Sequence, residues 1–172
     1  GKVKCHRYWP DNTRLPLNIC DGGYEVRLMR HKSLEHVDIS YIRMTDLHTQ
    51  HTHSLMHLNF TTWPDHGAPQ DTLPILRYIR LVHLCQPPEA GPTVVHCSAG
   101  IGRTGALITI DIALALVAAD AKIDMQRIVQ DLRRQRQGVI QTKDQYTLCY
   151  RALYEALTSL LPEGTHTQLQ QS

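Results

Sequence analysis

The 172-residue sequence lacks four features whose absence narrows its class. No apolar run approaches the ~18 residues that a membrane-spanning helix needs. The net charge is only +2, so neither nucleic acid nor an anionic membrane surface is an expected partner. The five cysteines include no C-x-x-C pair, which argues against a disulfide framework and a structural zinc site. The first residues lack the pattern of a secretory signal, and we expect a cytoplasmic protein that does not insert into membranes.

Length and composition indicate one globular domain. With 42% hydrophobic residues, the chain is long enough to bury one sizeable core but not two. Residues 162–172 offer almost nothing apolar to bury and are predicted to be a disordered tail. The sequence therefore predicts one domain over residues 1–161, followed by that tail.

Hydrophobic periodicity divides the chain into a strand-rich front half and a helical back half. Alternating apolar residues predict strands at 24–30, 36–44 and 53–60, and a β-branched run predicts a short strand at 93–95. A helix is predicted from Asp71, with an apolar side made of Leu73, Leu76, Ile79 and Leu84. Capping signals and apolar runs predict further helices at 104–119, 124–137 and 142–161. This order predicts an α/β (α+β) domain with a twisted, mixed central sheet flanked by helices.

The loop at residues 96–105 carries the clearest chemical signal. It reads His-Cys-Ser-Ala-Gly-Ile-Gly-Arg-Thr-Gly and leads into the apolar helix. A helix N-terminus aims unpaired backbone N–H groups and the positive end of the helix dipole at one point, which suits an oxyanion. Arg103, six residues after Cys97, can offer a planar fork to two phosphate oxygens. The Cys-to-Arg spacing alone is a weak signal, but the strand, glycines and helix around it make it strong.

The same groups act on the sulfur of Cys97. A free thiol has a pKa of about 8.5 and is mostly protonated at pH 7, whereas the thiolate is the nucleophile. The helix dipole, the N–H groups and Arg103 favour the thiolate, so we predict a lowered pKa for Cys97. Thr104 can place a hydroxyl near the sulfur, where it would ease departure of the thiolate when an intermediate breaks down.

Residues 95–105 resemble the phosphate-binding loop of the protein tyrosine phosphatases, which act through a phosphocysteine. Two further motifs agree. Trp-Pro-Asp-His-Gly at 63–67 is similar to the mobile loop that carries the family's general acid, and Gln-Thr-Lys-Asp-Gln at 141–145 resembles the loop that positions the hydrolytic water. The resemblance covers about residues 1–161 and, within the family, looks closest to the large non-receptor type with FERM and PDZ modules.

The resemblance implies roles for individual residues. Cys97 would attack phosphorus, Asp65 would protonate the leaving phenolic oxygen, and Arg103 would hold the equatorial oxygens. Gln141 would orient water against the phosphocysteine. Gln145 has two interpretations, as a second water-positioning group or as the capping-box partner of Thr142. The implied catalytic set is Cys97, Asp65, Arg103, Gln141 and Thr104. The implied substrate-binding set is Asp65, Cys97, Ser98, Ala99, Gly100, Ile101, Gly102, Arg103, Gln141 and Gln145.

The resemblance also implies the partners. The substrates would be phosphotyrosine-containing proteins, the chemistry would need no cofactor, and further N-terminal domains are compatible with it. Four histidines are crowded in the sequence, but their spacing does not form a coherent ligand set, so no metal site is expected: His48, His51, His53 and His57.

Two alternative functions stay open because the family's domain is longer at its N-terminus. The aromatic that lines the phosphotyrosine pocket and the glutamate that orients Arg103 would lie upstream of Gly1. We therefore expect a C-terminal portion of the domain that is poorly folded or weakly active on its own. One alternative is a catalytically impaired fragment that acts as a phosphate-recognising binding module. The other is a dual-specificity phosphatase with a shallower pocket.

Overall fold

The computed structural model describes residues 5–64 and 67–160. The chain divides into two compact units, Gly1–Trp63 and Pro64–Ser172. The predicted tail at 162–172 and the predicted general acid Asp65 lie outside the described residues.

The first unit contains a four-stranded antiparallel sheet. The strands follow one another in space as in the chain: β1 (Leu17–Ile19), β2 (Tyr24–Ser33), β3 (Val37–Asp46) and β4 (Thr52–Phe60). The three predicted strands are confirmed as β2, β3 and β4. The sequence did not reveal β1, because three residues are too few to show an alternating pattern.

One face of this sheet forms a small apolar core. Val26 and Leu28 of β2 are buried together with Ile42 of β3, and Trp9 packs against them. Leu28 lies directly opposite Ile42 in the register of the two strands. Alternate residues of a strand share a face, so the period-2 pattern at 24–30 places these side chains together.

The second unit is built from four helices. They are α1 (Leu73–Cys85), α2 (Arg103–Ala118), α3 (Met125–Gln135) and α4 (Lys143–Leu160). All four predicted helices are confirmed, with ends that differ by a few residues. Asp124 caps α3, where its side chain accepts a hydrogen bond from the Arg127 N–H at 2.9 Å. Within the described part of the chain, no helix is both long enough and apolar enough to cross a bilayer.

Helix α2 packs against the other three helices. Its buried residues are Thr104, Gly105, Ala106, Thr109, Ile110 and Ala113. Gly105 allows the closest approach, since a Cβ built there would lie 2.8 Å from Cγ1 of Val139 and 2.9 Å from the backbone nitrogen of Ile140. The start of α2 is therefore held tightly against the segment that precedes α4.

The α/β class is confirmed, but the structure differs from the prediction in its sheet. Residues 93–95 form no strand, and the sheet of the described residues is antiparallel throughout rather than mixed. Val94 is 85% exposed. A parallel strand is normally buried on both faces and bonded to neighbours, and none of the described strands pairs with residues 93–95.

The apolar side of α1 also differs from the prediction. Ile75 and Ile79 are buried, whereas Leu73 is 40% exposed at the first residue of the helix and Leu84 is 75% exposed. Leu84 lies about 140° around the helix from Ile79, because each residue advances about 100°. The prediction that Leu84 shares the buried side was therefore wrong.

Candidate active site

The Cys97 loop, residues 96–102, leads directly into α2. Gly102 precedes the first helical residue, Arg103. Gly100 has a φ of 69°, a left-handed conformation that glycine adopts without the penalty a Cβ would bring. The predicted position of this loop at a helix N-terminus is confirmed, and the Thr104 N–H of the first helical turn bonds to the Cys97 sulfur.

Hydrogen bonds lower the pKa of Cys97 from 9.0 to about 7. Partial burial is the largest single effect and acts in the opposite direction, because it disfavours the charged thiolate. The hydroxyl of Thr104 and the backbone N–H groups of Thr104, Gly100 and Ile101 bond to the sulfur and together outweigh burial. The predicted lowering is confirmed, and about half of the thiol is ionised at pH 7.

The hydroxyl of Thr104 donates a hydrogen bond to the sulfur of Cys97. Thr104 is buried in the first turn of α2. Among the described residues, no nitrogen or oxygen is bonded to its Oγ1, while its side chain is one of the groups that lower the pKa of Cys97. A buried hydroxyl without another partner favours donation to a thiolate.

Arg103 reaches the segment that follows Trp63. Its Nη2 donates a hydrogen bond to the carbonyl oxygen of Pro64 at 3.2 Å. Gly67, at the other end of the motif, has a φ of 72°, and a Cβ built on it would lie 3.4 Å from Oδ2 of Asp144. The described residues that flank Asp65 in the sequence thus lie beside two of the predicted site elements, the start of α2 and the start of α4.

The glutamine segment, residues 139–145, packs against the end of the Cys97 loop. A Cβ built on Gly102 would lie 2.7 Å from Oε1 of Gln141 and 2.9 Å from Nε2 of Gln145. The Gln145 side chain is buried, and its Oε1 accepts a hydrogen bond from the Gln141 N–H at 2.9 Å. The structure therefore brings Cys97, Arg103, Thr104, Gln141 and Gln145 into one neighbourhood.

The two interpretations of Gln145 are resolved only in part. The Thr142 hydroxyl accepts a hydrogen bond from the Gln145 N–H at 3.2 Å, which is one half of a capping box. In the other half, the Gln145 side chain would accept from the Thr142 N–H, but it accepts instead from the N–H of Gln141. Gln145 thus supports the backbone of Gln141, and its role as a second water-positioning group stays a prediction.

Ile140 holds a strained conformation immediately before Gln141. Its φ is 60°, which is unfavourable for a β-branched residue. Its N–H donates to the carbonyl oxygen of Ile101 at 3.0 Å, and that oxygen also accepts the N–H of Gly105 at 3.2 Å. Arg133 donates from Nε to the Val139 carbonyl at 2.8 Å and from Nη2 to the Ile140 carbonyl at 2.9 Å. These bonds hold the strained turn in place.

A second arginine from the end of α3 bonds to the Cys97 loop. Arg136 donates from Nε to the Gly100 carbonyl and from Nη2 to the Ala99 carbonyl, both at 3.0 Å. This contact joins residues that are 36 and 37 positions apart, so the local sequence does not predict it. The available signal was a group of three arginines just before Gly138, but basic residues are common at helix C-termini and the group does not stand out.

The arrangement combines a nucleophile with an anion-binding site. A half-ionised thiol lies within a loop whose N–H groups point at it, at the N-terminus of a helix that begins with an arginine. N–H groups that stabilise a thiolate are also suited to the oxygens of a bound phosphate. No group of three or more metal-ligating side chains occurs among residues 5–64 and 67–160.

Comparison with known proteins identifies similar chains. The sequence profile of the family described as Protein-tyrosine phosphatase matches residues 1–155. The chain is 38% identical over 170 residues to human Tyrosine-protein phosphatase non-receptor type 13, and the aligned region covers 97% of this chain and 7% of that protein. It is 37% identical over 164 residues to human Tyrosine-protein phosphatase non-receptor type 20, covering 94% of this chain and 37% of that protein. The chain thus spans well under half the length of these curated relatives, and the predicted non-receptor type is confirmed.

Proposed function

The chain belongs to the protein-tyrosine phosphatase family, and from this we propose that it hydrolyses phosphotyrosine on proteins through a phosphocysteine intermediate. The observation that carries the proposal is the geometry around the Cys97 thiol. Burial raises its pKa, but the Thr104 hydroxyl and the backbone N–H groups of the loop and of the start of α2 lower it to about 7. A thiol in this state is a nucleophile at neutral pH, and the same N–H groups suit phosphate.

In the first step the Cys97 thiolate attacks phosphorus. The S–P bond forms as the bond between phosphorus and the phenolic oxygen breaks, and Asp65 gives its proton to that oxygen. Arg103 and the N–H groups of residues 98–102 bind the phosphoryl oxygens and stabilise the charge that spreads over them. The Arg103 bond to the Pro64 carbonyl supports a role for the neighbouring Asp65 near the same group.

In the second step water attacks the phosphocysteine. Gln141 orients that water, which gives a proton to the Asp65 carboxylate left by the first step as the P–O bond forms and the S–P bond breaks. The Thr104 hydroxyl stabilises the departing thiolate. The packing of the Gln141 amide against Gly102 and the support of its backbone by Gln145 favour this assignment.

We also propose the setting in which the chain acts. Residues 1–161 form part of one tyrosine phosphatase domain, a proposal supported by the family match over 1–155. The substrates are phosphotyrosine-containing proteins, and further domains accompany this one in the whole protein. A cytoplasmic location is supported by the non-receptor names of the relatives and by the cysteines, none of which is in a disulfide among the described residues.

The function is tested by phosphate release from a phosphotyrosine peptide and its phosphoserine twin. We expect release from the tyrosine peptide and none from the serine peptide. Cys97→Ser should abolish release and retain the phosphotyrosine peptide as a trap. Cys85→Ser is the matched control, since Cys85 is also a partly buried cysteine outside any disulfide but lies at the end of α1.

Other outcomes identify the alternatives. Equal release from both peptides would indicate a dual-specificity phosphatase. Binding of the phosphopeptide by a folded parent chain that releases no phosphate would indicate a recognition module. Release by Cys97→Ser at the parental rate would refute the assigned nucleophile.

A further inference from the structure

Arg136 bonds to the outer side of the Cys97 loop and is absent from the steps above. It is the C-cap residue that follows the last residue of α3, where the backbone leaves the helix with φ −141° and ψ 109°. Its guanidinium donates to the carbonyl oxygens of two successive residues, Ala99 and Gly100, at 3.0 Å each. A planar fork that spans two neighbouring carbonyls is a geometry that arginine provides and lysine does not.

The two carbonyls belong to two of the three peptide groups whose N–H groups bond to Cys97. In a trans peptide group the C=O and N–H point in opposite directions, and no cis peptide occurs among the described residues. The Ala99 carbonyl shares its peptide group with the Gly100 N–H, and the Gly100 carbonyl shares one with the Ile101 N–H. Those two N–H groups donate to the sulfur. Arg136 therefore holds the outward end of each peptide group whose inward end faces the sulfur.

Gly100 gives this contact its importance. It lies between the two peptide groups with a φ of 69°, and glycine allows rotations that other residues resist. A Cβ built on Gly100 would lie 3.2 Å from Nη2 of Arg136, so the guanidinium covers this point of the loop. Without the arginine, either of these two peptide groups could rotate at Gly100 with little resistance from the loop itself. Such a rotation would point a carbonyl oxygen, instead of an N–H group, at a bound anion.

We propose that Arg136 is a positioning residue that fixes the peptide groups of the Cys97 loop with their N–H groups turned toward the sulfur and the bound phosphate. The proposal rests on the proposed function, which assigns the thiolate and the phosphate to this loop. Arg136 acts from behind the loop, and it touches neither the substrate nor the sulfur. The other charged or titratable groups of the loop and the adjoining helix start stay unchanged in the test: His96, whose Nδ1 lies 3.0 Å from the Cys97 carbonyl, and Arg103.

The test uses Arg136→Gln, Arg136→Lys and the control Arg134→Gln. Arg134 lies in the last turn of the same helix, but its guanidinium pairs with Asp131. The rate of Cys97 alkylation by iodoacetamide is measured against pH, and protection by inorganic phosphate is measured at one pH. A double variant with Cys97→Ser gives the background from the other cysteines.

For Arg136→Gln we expect the alkylation midpoint to rise by about one pH unit, which slows alkylation at pH 7 about fivefold. The phosphate concentration that gives half protection should rise about tenfold. Arg136→Lys should recover part of both effects, because one charged donor still reaches one carbonyl. Arg134→Gln should leave both quantities at the parental values.

Parental values of both quantities in Arg136→Gln would overturn the proposal. If Arg136→Gln does not fold, the Arg136→Lys variant provides the test. A parental alkylation midpoint and parental phosphate protection in Arg136→Lys would equally refute the proposal, because lysine cannot bond to both carbonyls as the guanidinium does. A role in stability alone would lower the melting temperature but would not move the midpoint. Failure of the proposed function is seen separately, as an absence of phosphate release by the parent chain, and neither alkylation nor phosphate protection depends on turnover.

Discussion

Replacing Thr104 by valine should raise the pKa of Cys97 while the shape of the site is kept. Valine has nearly the same volume as threonine and removes only the hydroxyl. In the folded protein that hydroxyl is buried and bonds to the sulfur. A hydrogen bond to a charged group contributes about 1.5–3 kcal/mol. Because the Cys97 side chain is partly exposed to solvent, we take the lower end, about 1.5 kcal/mol.

This energy corresponds to about one pKa unit, since each unit represents about 1.36 kcal/mol. The pKa of Cys97 should therefore rise from about 7 to about 8. The thiolate fraction at pH 7 then falls from about a half to about a tenth, and alkylation at that pH slows about fivefold. At pH 10 both proteins are ionised, and their rates should converge.

The assay is the pH dependence of Cys97 alkylation by iodoacetamide. Thr104→Ser keeps the hydroxyl and should keep the parental midpoint. Thr109→Val is the matched control, because Thr109 is another fully buried threonine of α2 whose hydroxyl has no partner among the described residues. It should leave the midpoint unchanged. An unchanged midpoint in a folded Thr104→Val would refute the role assigned to the hydroxyl.

Three further predictions follow from the geometry. The pKa of Cys97 in the folded protein lies below its ordinary value, so its contribution to stability is complete above pH 9 and is lost as pH falls through 7. Measured by urea unfolding and compared with Cys97→Ser, the parent should gain about 1 kcal/mol of stability between pH 7 and 9, a figure reduced for the partial exposure of the thiol. Gly102→Ala should displace the Gln141 side-chain amide, whose Oε1 would lie 2.7 Å from the new Cβ, and should slow phosphocysteine breakdown roughly tenfold or more. The slower step would be seen as a burst of phenol before steady turnover, and linear release of phenol would contradict the prediction. Gly105→Ala should cost about 1–3 kcal/mol by overpacking, measured by urea against Gly91→Ala, where nothing lies near the new Cβ.

The sequence predicted those parts of the molecule that depend on local signals. The Cys97 loop and α2 were predictable because glycines, an apolar helix and an arginine at a fixed spacing follow one another directly in the chain. The start of α3 was predictable because Asp124 caps it through a contact only three residues away. The class of fold followed from the order of these elements.

The missed features depend on contacts between distant parts of the chain. Arg136 bonds to residues 99 and 100, and nothing in the local sequence distinguishes it from an ordinary basic residue at a helix end. The same holds for Gln145, whose capping-box pattern was present while its side chain bonds one residue further back, to Gln141. The strand expected at 93–95 failed for a related reason, because a β-branched run becomes a strand only where another strand pairs with it.

The carbonyl oxygen of Ile101 accepts two N–H groups, from Gly105 in the first turn of α2 and from Ile140 in the glutamine segment. A movement of this one oxygen would weaken both bonds together, so we expect the two amide protons to exchange with solvent as one cooperative unit although they are distant in sequence. The end of the Cys97 loop and the glutamine segment should therefore open together. The element assigned to the first chemical step and the element assigned to the second are thus joined through one carbonyl oxygen.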